Sequence, residues 1–192
     1  RKGILIMNAR KPLILFSGGL DSTAMLMFAI EQNINATLLH IQYEHPAAQK
    51  ELQAVQKIAQ NIGDQMTLHL HKIEISAETM FIGAGAKGSR FVKGRNLLFV
   101  SAAYNLTNKF DCNEIWLGCT KNDFEDYDDC RPDFIFKVNQ ILDDVELIAP
   151  FIQLTRSEII EQNNVEWFDT WSCYEPTDDG QPCDACNSCL QQ

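Results

Sequence analysis

The apolar run Pro12-Leu13-Ile14-Leu15-Phe16 gives way without a spacer to Ser17-Gly18-Gly19, and a helical pattern takes over from Ser22 to Gln32. A short apolar run closed by a glycine turn reads as a buried strand. Met25, Leu26, Phe28, Ala29 and Ile30 then suit a buried helix. A strand entering a helix through so tight a turn is the start of an alternating α/β chain, and this junction constrains the fold more than any other stretch.

The alternation continues downstream. Ala36–Ile41 reads as a second strand, and Ala47–Ile62 sets Leu52, Val55, Ile58, Ala59 and Ile62 at helical steps with Gly63 as a stop. Met66–Ile75 reads as a third strand, and residues 76–93, with Gly83, Gly85 and Gly88, as a loop. Asn96–Thr107 is a helix and Glu114–Leu117 a fourth strand. An acidic loop over 118–130 leads to a helix at Phe134–Leu142 and a fifth strand at Glu146–Ala149. Thr155-Arg156-Ser157-Glu158 has the capping-box form and opens a last helix to about Asn164. The prediction is an α/β fold, a doubly wound parallel sheet over residues 1–166 with a small cysteine-rich tail over 167–192 packed on it.

With 192 residues, 45% of them hydrophobic, the chain has the mass for one core with a small appendage. Lys and Arg number 16 against 26 Asp and Glu, a net charge of −10, which argues against gripping a nucleic-acid backbone. No apolar run approaches the roughly 20 residues of a membrane span. Arg1, Lys2 and Arg10 flank only the short run Ile4–Met7, with no long apolar region or cleavage site. The chain contains seven cysteines. An odd number without a signal peptide fits a reducing compartment, so the expected location is cytoplasmic.

Four of those cysteines lie close together: Cys173, then Cys183, Cys186 and Cys189 in two overlapping Cys-x2-Cys steps. Such spacing lets four sulfurs reach one tetrahedral ion at about 2.3 Å each, and a four-thiolate site leaves no open coordination position. Structural zinc is the expectation, with catalytic zinc, an iron–sulfur cluster and disulfides as the alternatives.

The glycine loop lies where a doubly wound sheet binds ligands, at the carboxyl end of a strand. Its glycines allow close approach of a phosphate, the following helix offers free N–H groups, and Ser17, Ser22 and Thr23 add hydroxyls. Asp21 is placed to orient the loop or engage Mg²⁺. The loop lacks both the Gly-Lys-Ser/Thr ending of the phosphate loop and the Gly-x-Gly-x-x-Gly of dinucleotide binders. A structural Gly-Gly turn capped by Asp and Ser is the bland alternative.

Ser17-Gly18-Gly19-Leu20-Asp21-Ser22-Thr23 resembles the PP-loop of the ATP pyrophosphatase superfamily. Further stretches narrow the likeness: Phe91-Val92-Lys93-Gly94-Arg95-Asn96, Gly118-Cys119 through Asp123-Phe124, Tyr127 and Asp129-Cys130-Arg131, and Ser172-Cys173-Tyr174. Together with the cysteine tail they resemble the 7-cyano-7-deazaguanine synthases. The resemblance implies a carbon–nitrogen ligase that converts 7-carboxy-7-deazaguanine and ammonia to the nitrile. Two ATP, accompanied by Mg²⁺, activate first the carboxylate and then the amide, releasing AMP and pyrophosphate. It implies ATP binding by Phe16, Ser17, Gly18, Gly19, Leu20, Asp21, Ser22 and Thr23, and catalysis by Ser17, Asp21, Ser22 and Arg95. Substrate binding falls to Phe91, Arg95, Asn96, Asp123, Tyr127, Asp129 and Arg131, and zinc to Cys173, Cys183, Cys186 and Cys189. A homodimer is the assembly left open.

Arg95 and Asn96 stand at an expected helix start, where a carboxylate or phosphate is well met, though a surface cap is the plainer role. Asp123 and Asp129 suit the N–H edge of a guanine-like ring, and Phe124 and Tyr127 suit stacking. Five acids among residues 123–129 also fit a solvated loop. Cys119 and Cys130 read as small buried residues, and His69 and His71 as structural. Gln42-Tyr43-Glu44-His45-Pro46 departs from the family's segment after the second strand, and Lys93, Asp126 and Asp128 replace two prolines and a glycine. The 76–90 loop is short, and the chain stops just past the cysteines. The rival readings are a PP-loop enzyme inserting sulfur or an amine into tRNA, a variant passing the deazaguanine to a protein amine, and a non-enzymatic zinc ribbon.

Overall fold

The computed structural model describes residues 9–72, 92–162 and 169–190. The predicted loop at 76–93 therefore falls almost wholly outside the described residues, as does Phe91. The predicted boundary at 166/167 also lies outside them.

Five strands alternate with helices: β1 Pro12–Leu15, α1 Leu20–Glu31, β2 Thr37–Gln42, α2 Ala48–Ile62, β3 Thr67–Lys72, α3 Arg95–Phe110, β4 Glu114–Trp116, α4 Pro132–Asn139, β5 Glu146–Ile148, α5 Arg156–Gln162 and α6 Asn187–Leu190. The strands form one parallel sheet in the order β3-β2-β1-β4-β5. Leu13 pairs with Thr37 on one side and Ile115 on the other, so β1 is the central strand. Its side chains are buried on both faces, which is why it reads as a continuous apolar run.

The pleat sends alternate residues to two cores. Ile14 and Trp116 join Met25 and Leu26 of α1, Val55 and Ile58 of α2, and Ile159 of α5. Leu13 and Ile115 join Val100 and Ala103 of α3 and Val138 of α4. The predicted strands match the observed ones to within a residue, except that the third begins at Thr67 and is described only to Lys72. The acidic loop after β4 contains two short 3-10 turns, Lys121–Asp123 and Asp128–Cys130.

The chain leaves β3 at one edge, passes through α3 and returns on the far side of β1. The winding thus reverses between β1 and β4, and in such sheets ligands bind in the crevice outside the strand ends at that reversal. The cysteine-rich tail closes over the same end. The Trp171 amide donates to the Gly18 carbonyl at 2.9 Å, Asn61 Nδ2 donates to Asp169 at 2.6 Å, and Lys57 pairs with Asp169.

Candidate active site and thiolate cluster

The glycine loop leaves β1 by extending its ladder one residue. The Phe16 amide donates to the Leu39 carbonyl at 2.8 Å, and His40 Nδ1 donates to the Phe16 carbonyl at 2.9 Å. Gly18 then turns with φ +78°, and a Cβ there would lie 2.9 Å from the Val55 backbone nitrogen. Glycine is needed both for the left-handed turn and for the close approach of α2. The Gly19 carbonyl accepts from the Ser22 and Thr23 hydroxyls at 3.0 and 2.9 Å, and Ser17 Oγ lies 3.2 Å from Ser22 Oγ. No side chain caps the start of α1 at Gly19, while the Leu20 amide donates to Ser172 Oγ at 3.3 Å. The helix start, with its positive dipole end, therefore faces the crevice.

One cavity runs from this loop across the ends of β1, β2 and β4. Ser17, Gly19, Leu20, Asp21 and Ser22 line it, together with Tyr43, Glu51, Arg95, Asn96 and Tyr127. Asp123, Trp171, Ser172 and Tyr174 complete the wall. The turn after β4 runs beside α1 at Gly118, where a Cβ would make ordinary contact with Asp21 Cβ at 3.4 Å.

Asp21 is held by Arg156 at the start of α5. Nε reaches both carboxylate oxygens at 3.3 Å, and a terminal nitrogen reaches Oδ2 at 3.0 Å. That nitrogen also lies 3.6 Å from Asp123 Oδ1, whose other oxygen accepts from the Thr120 amide and hydroxyl at 2.9 Å. Burial pushes the Asp21 carboxyl above the usual range, and Arg156 opposes the shift. In the same cavity, Arg95 is enclosed by Tyr43, Tyr174, Glu51 and Tyr127, whose negative ends keep its guanidinium charged against burial. Burial raises Glu51 to about 7 and lowers His45, 3.5 Å away, to about 4. Tyr43 stacks on His45 with ring centres 4.3 Å apart.

Several sequence-predicted residues converge here: Ser17, Gly19, Leu20, Asp21, Ser22, Arg95, Asn96, Asp123 and Tyr127 all line the cavity, as does Phe16. Gly18 and Thr23 shape the loop from behind. Asp129 lies outside the lining, and its carboxylate accepts from the Asn96 amide at 3.0 Å, capping α3. Arg131 turns to the acidic loop, donating to the Phe124 carbonyl and Asp128 at 2.6 Å each. Cys119 and Cys130 are buried. His69 stacks on Phe110 at 4.0 Å. Sequence reasoning missed Tyr43, Glu51, Arg156, Trp171, Ser172 and Tyr174. Two signals pointed near them: the unusual Gln42–Pro46 segment and the Ser172-Cys173-Tyr174 run.

The four tail cysteines hold their sulfurs within 4.8 Å of one another. Cys183 Sγ is 3.9 Å and Cys186 Sγ 3.4 Å from Cys189 Sγ. A tetrahedral ion with bonds of about 2.3 Å needs sulfurs about 3.8 Å apart, so the donor set fits one metal ion.

The parallel sheet, the glycine turn at its central strand and the adjoining cavity define a PP-loop-type α/β protein. Solved structures share the fold. A U34-tRNA thiolase, NcsA, from Methanococcus maripaludis with its [4Fe-4S] cluster matches 90% of this chain and 62% of its own with TM-score 0.60 and 15% identity. NMN synthetase from Francisella tularensis matches 80% and 60% with TM-score 0.51 and 14% identity. The sequence goes further: the family model of queuosine biosynthesis protein QueC matches residues 11–192, and the chain belongs to that family. The 7-cyano-7-deazaguanine synthases of Citrifermentans bemidjiense and of a Geobacter species are each 32% identical over 94% of this chain and 90% of their own.

Proposed function

We propose that the chain makes 7-cyano-7-deazaguanine from 7-carboxy-7-deazaguanine, ammonia and two ATP. A carboxylate oxygen leaves poorly, so the first ATP adenylates it and expels pyrophosphate. Ammonia attacks the activated carbon and AMP departs, giving the amide. A second adenylation on the amide oxygen allows AMP to leave with that oxygen, and loss of the nitrogen's protons forms the nitrile.

The observation that carries this reading is a cavity lined by both the glycine loop and Arg95. A phosphate chain suits the start of α1 and the Ser17 and Ser22 hydroxyls. The Arg95 guanidinium suits a carboxylate, and the Tyr43 and Tyr127 rings suit a flat heterocycle. Arg156 opposes the effect of burial on Asp21 and fixes it at the loop. Mg²⁺ accompanies ATP and screens its charge. A zinc ion in the thiolate cluster serves structure, and its ligands Cys173, Cys183, Cys186 and Cys189 brace the wall that carries Trp171, Ser172 and Tyr174. The partners are small molecules and the setting is cytoplasmic. No helix among the described residues is long and apolar enough to cross a membrane.

The test is the identity of the nucleotide products. AMP and pyrophosphate are expected only when the deazaguanine acid and ammonia are both supplied. ADP as product, or turnover indifferent to the acid, overturns the reading.

A further inference from the structure

Glu51 is a buried carboxyl that none of the steps above uses. It projects from the first turn of α2, four residues before Val55, the residue that abuts Gly18. Residues four apart share a helix face, and side chains lean towards the helix start, so Glu51 is carried past the glycine loop and into the cavity it lines. Its side chain is only 18% exposed. Around it stand His45, Tyr43 and Arg95, and the cavity it lines also holds Asp21, His40, Asp123, Tyr127, Arg156 and Tyr174. His45 stays neutral at neutral pH, and the Arg95 guanidinium opposes the rise that burial gives Glu51.

We infer that Glu51 is the proton acceptor for the nitrogen nucleophile. The inference rests on the proposed adenylation chemistry. Ammonia's lone pair forms the new C–N bond at the adenylated carbon, and the C–O bond to AMP breaks with its electron pair leaving on the phosphate. The nitrogen then carries one proton too many, which passes to the Glu51 carboxylate and from there to solvent. A group held near 7 by burial can accept that proton and release it again within a cycle at neutral pH. The glycine loop and Glu51 put nucleotide departure and proton removal in one cavity.

The experiment separates activation from nitrogen transfer in the full-length protein. Acid-dependent exchange of labelled pyrophosphate into ATP reports activation alone, and amide formation with ammonia reports the transfer. For Glu51→Gln, exchange is expected to fall less than about threefold and amide formation about 100-fold, within the usual contribution of a general base. Hydroxylamine, an uncharged and stronger nucleophile, should restore most of the transfer. In the unaltered protein, amide formation at constant free ammonia should rise through about pH 7 while hydroxamate formation stays flat. Equal loss of exchange and transfer in Glu51→Gln, undiminished transfer, or a flat ammonia profile overturns the role. Absence of acid-dependent exchange in the unaltered protein overturns the activation reading itself, and the role of Glu51 with it.

Discussion

At the scale of single residues, Glu51 and His45 tie stability to pH in opposite directions. Unfolded, Glu51 ionises near 4.5; folded, near 7. Between those values the folded state holds a proton the unfolded chain has released, so the Glu51 contribution falls as pH rises and is lost above about 7. His45 runs the other way. Its ring protonates near 6.5 when unfolded and about 4 when folded, so its contribution is complete above 6.5 and is lost as pH falls through that window. The two slopes oppose each other over most of the same range. Glu51→Gln removes one of them. The variant should match the unaltered protein at pH 4.5 and be more stable at pH 8 by on the order of 3 kcal/mol, read from thermal or denaturant unfolding at both pH values. A variant that gains stability as it loses nitrogen transfer is what a strained functional group predicts. Equal stability at pH 8 would mean that Glu51 is solvated in the folded protein.

At the scale of elements, α1 and α5 are joined through one guanidinium. Arg156 opens α5, yet its side chain serves Asp21 in the first turn of α1 and Asp123 in the turn after β4. Its side chain is 9% exposed, and those of its partners are 16% and 11%. Removing the cation leaves two nearly buried carboxylates facing each other, a loss of about 3 kcal/mol or more. Arg156→Met should therefore lower the unfolding midpoint clearly and weaken ATP binding. Arg156→Lys should recover part of the stability, because a point charge replaces the fork that reaches both Asp21 oxygens. Unchanged denaturant midpoints in Arg156→Met would show that the cluster is wet. This joint also marks the limit of what the sequence discloses. Strands such as β1 are legible because burial on both faces leaves an unbroken apolar run, and α5 is legible because Thr155 and Glu158 form the reciprocal cap, with Glu158 accepting from the Thr155 amide at 2.7 Å. That local cap accounts for the whole segment, so nothing in it signals that Arg156 reaches a residue 135 positions away. The same holds for Glu51: in sequence it is one polar position of an amphipathic helix, and only the register of α2 against Gly18 turns it into the cavity. Asp129 shows the converse, an acid that fits ligand recognition by type but is committed to the start of α3.

At the scale of the whole molecule, the tail is a brace across the open end of the sheet. Asp169 meets Lys57 and Asn61 on α2, Trp171 lies under Lys50 and donates to the glycine turn, Ser172 accepts from the start of α1, and Asn187 donates to Asp126 in the acidic loop at 2.7 Å. The thiolate cluster begins one residue past Ser172, and the Trp171 indole donates to the Cys173 carbonyl at 2.8 Å. Without a metal ion nothing bonds Cys173 to Cys183, Cys186 and Cys189, whose sulfurs lie within 4.8 Å of one another. Losing the ion therefore loosens the stretch that holds Gly18 and Leu20 in place. Each of those two hydrogen bonds is worth about 1 kcal/mol, so stripping the metal should raise the KM for ATP by up to about 30-fold even where the sheet stays folded. The measurement is metal content against ATP affinity during chelation, with far-ultraviolet circular dichroism as the check on the sheet. Cys186→Ser should behave like the stripped protein and resist restoration by added zinc. If the metal leaves and ATP affinity does not change, the tail is only an appendage, and the contacts of Trp171 and Ser172 with the glycine turn contribute nothing to the nucleotide site.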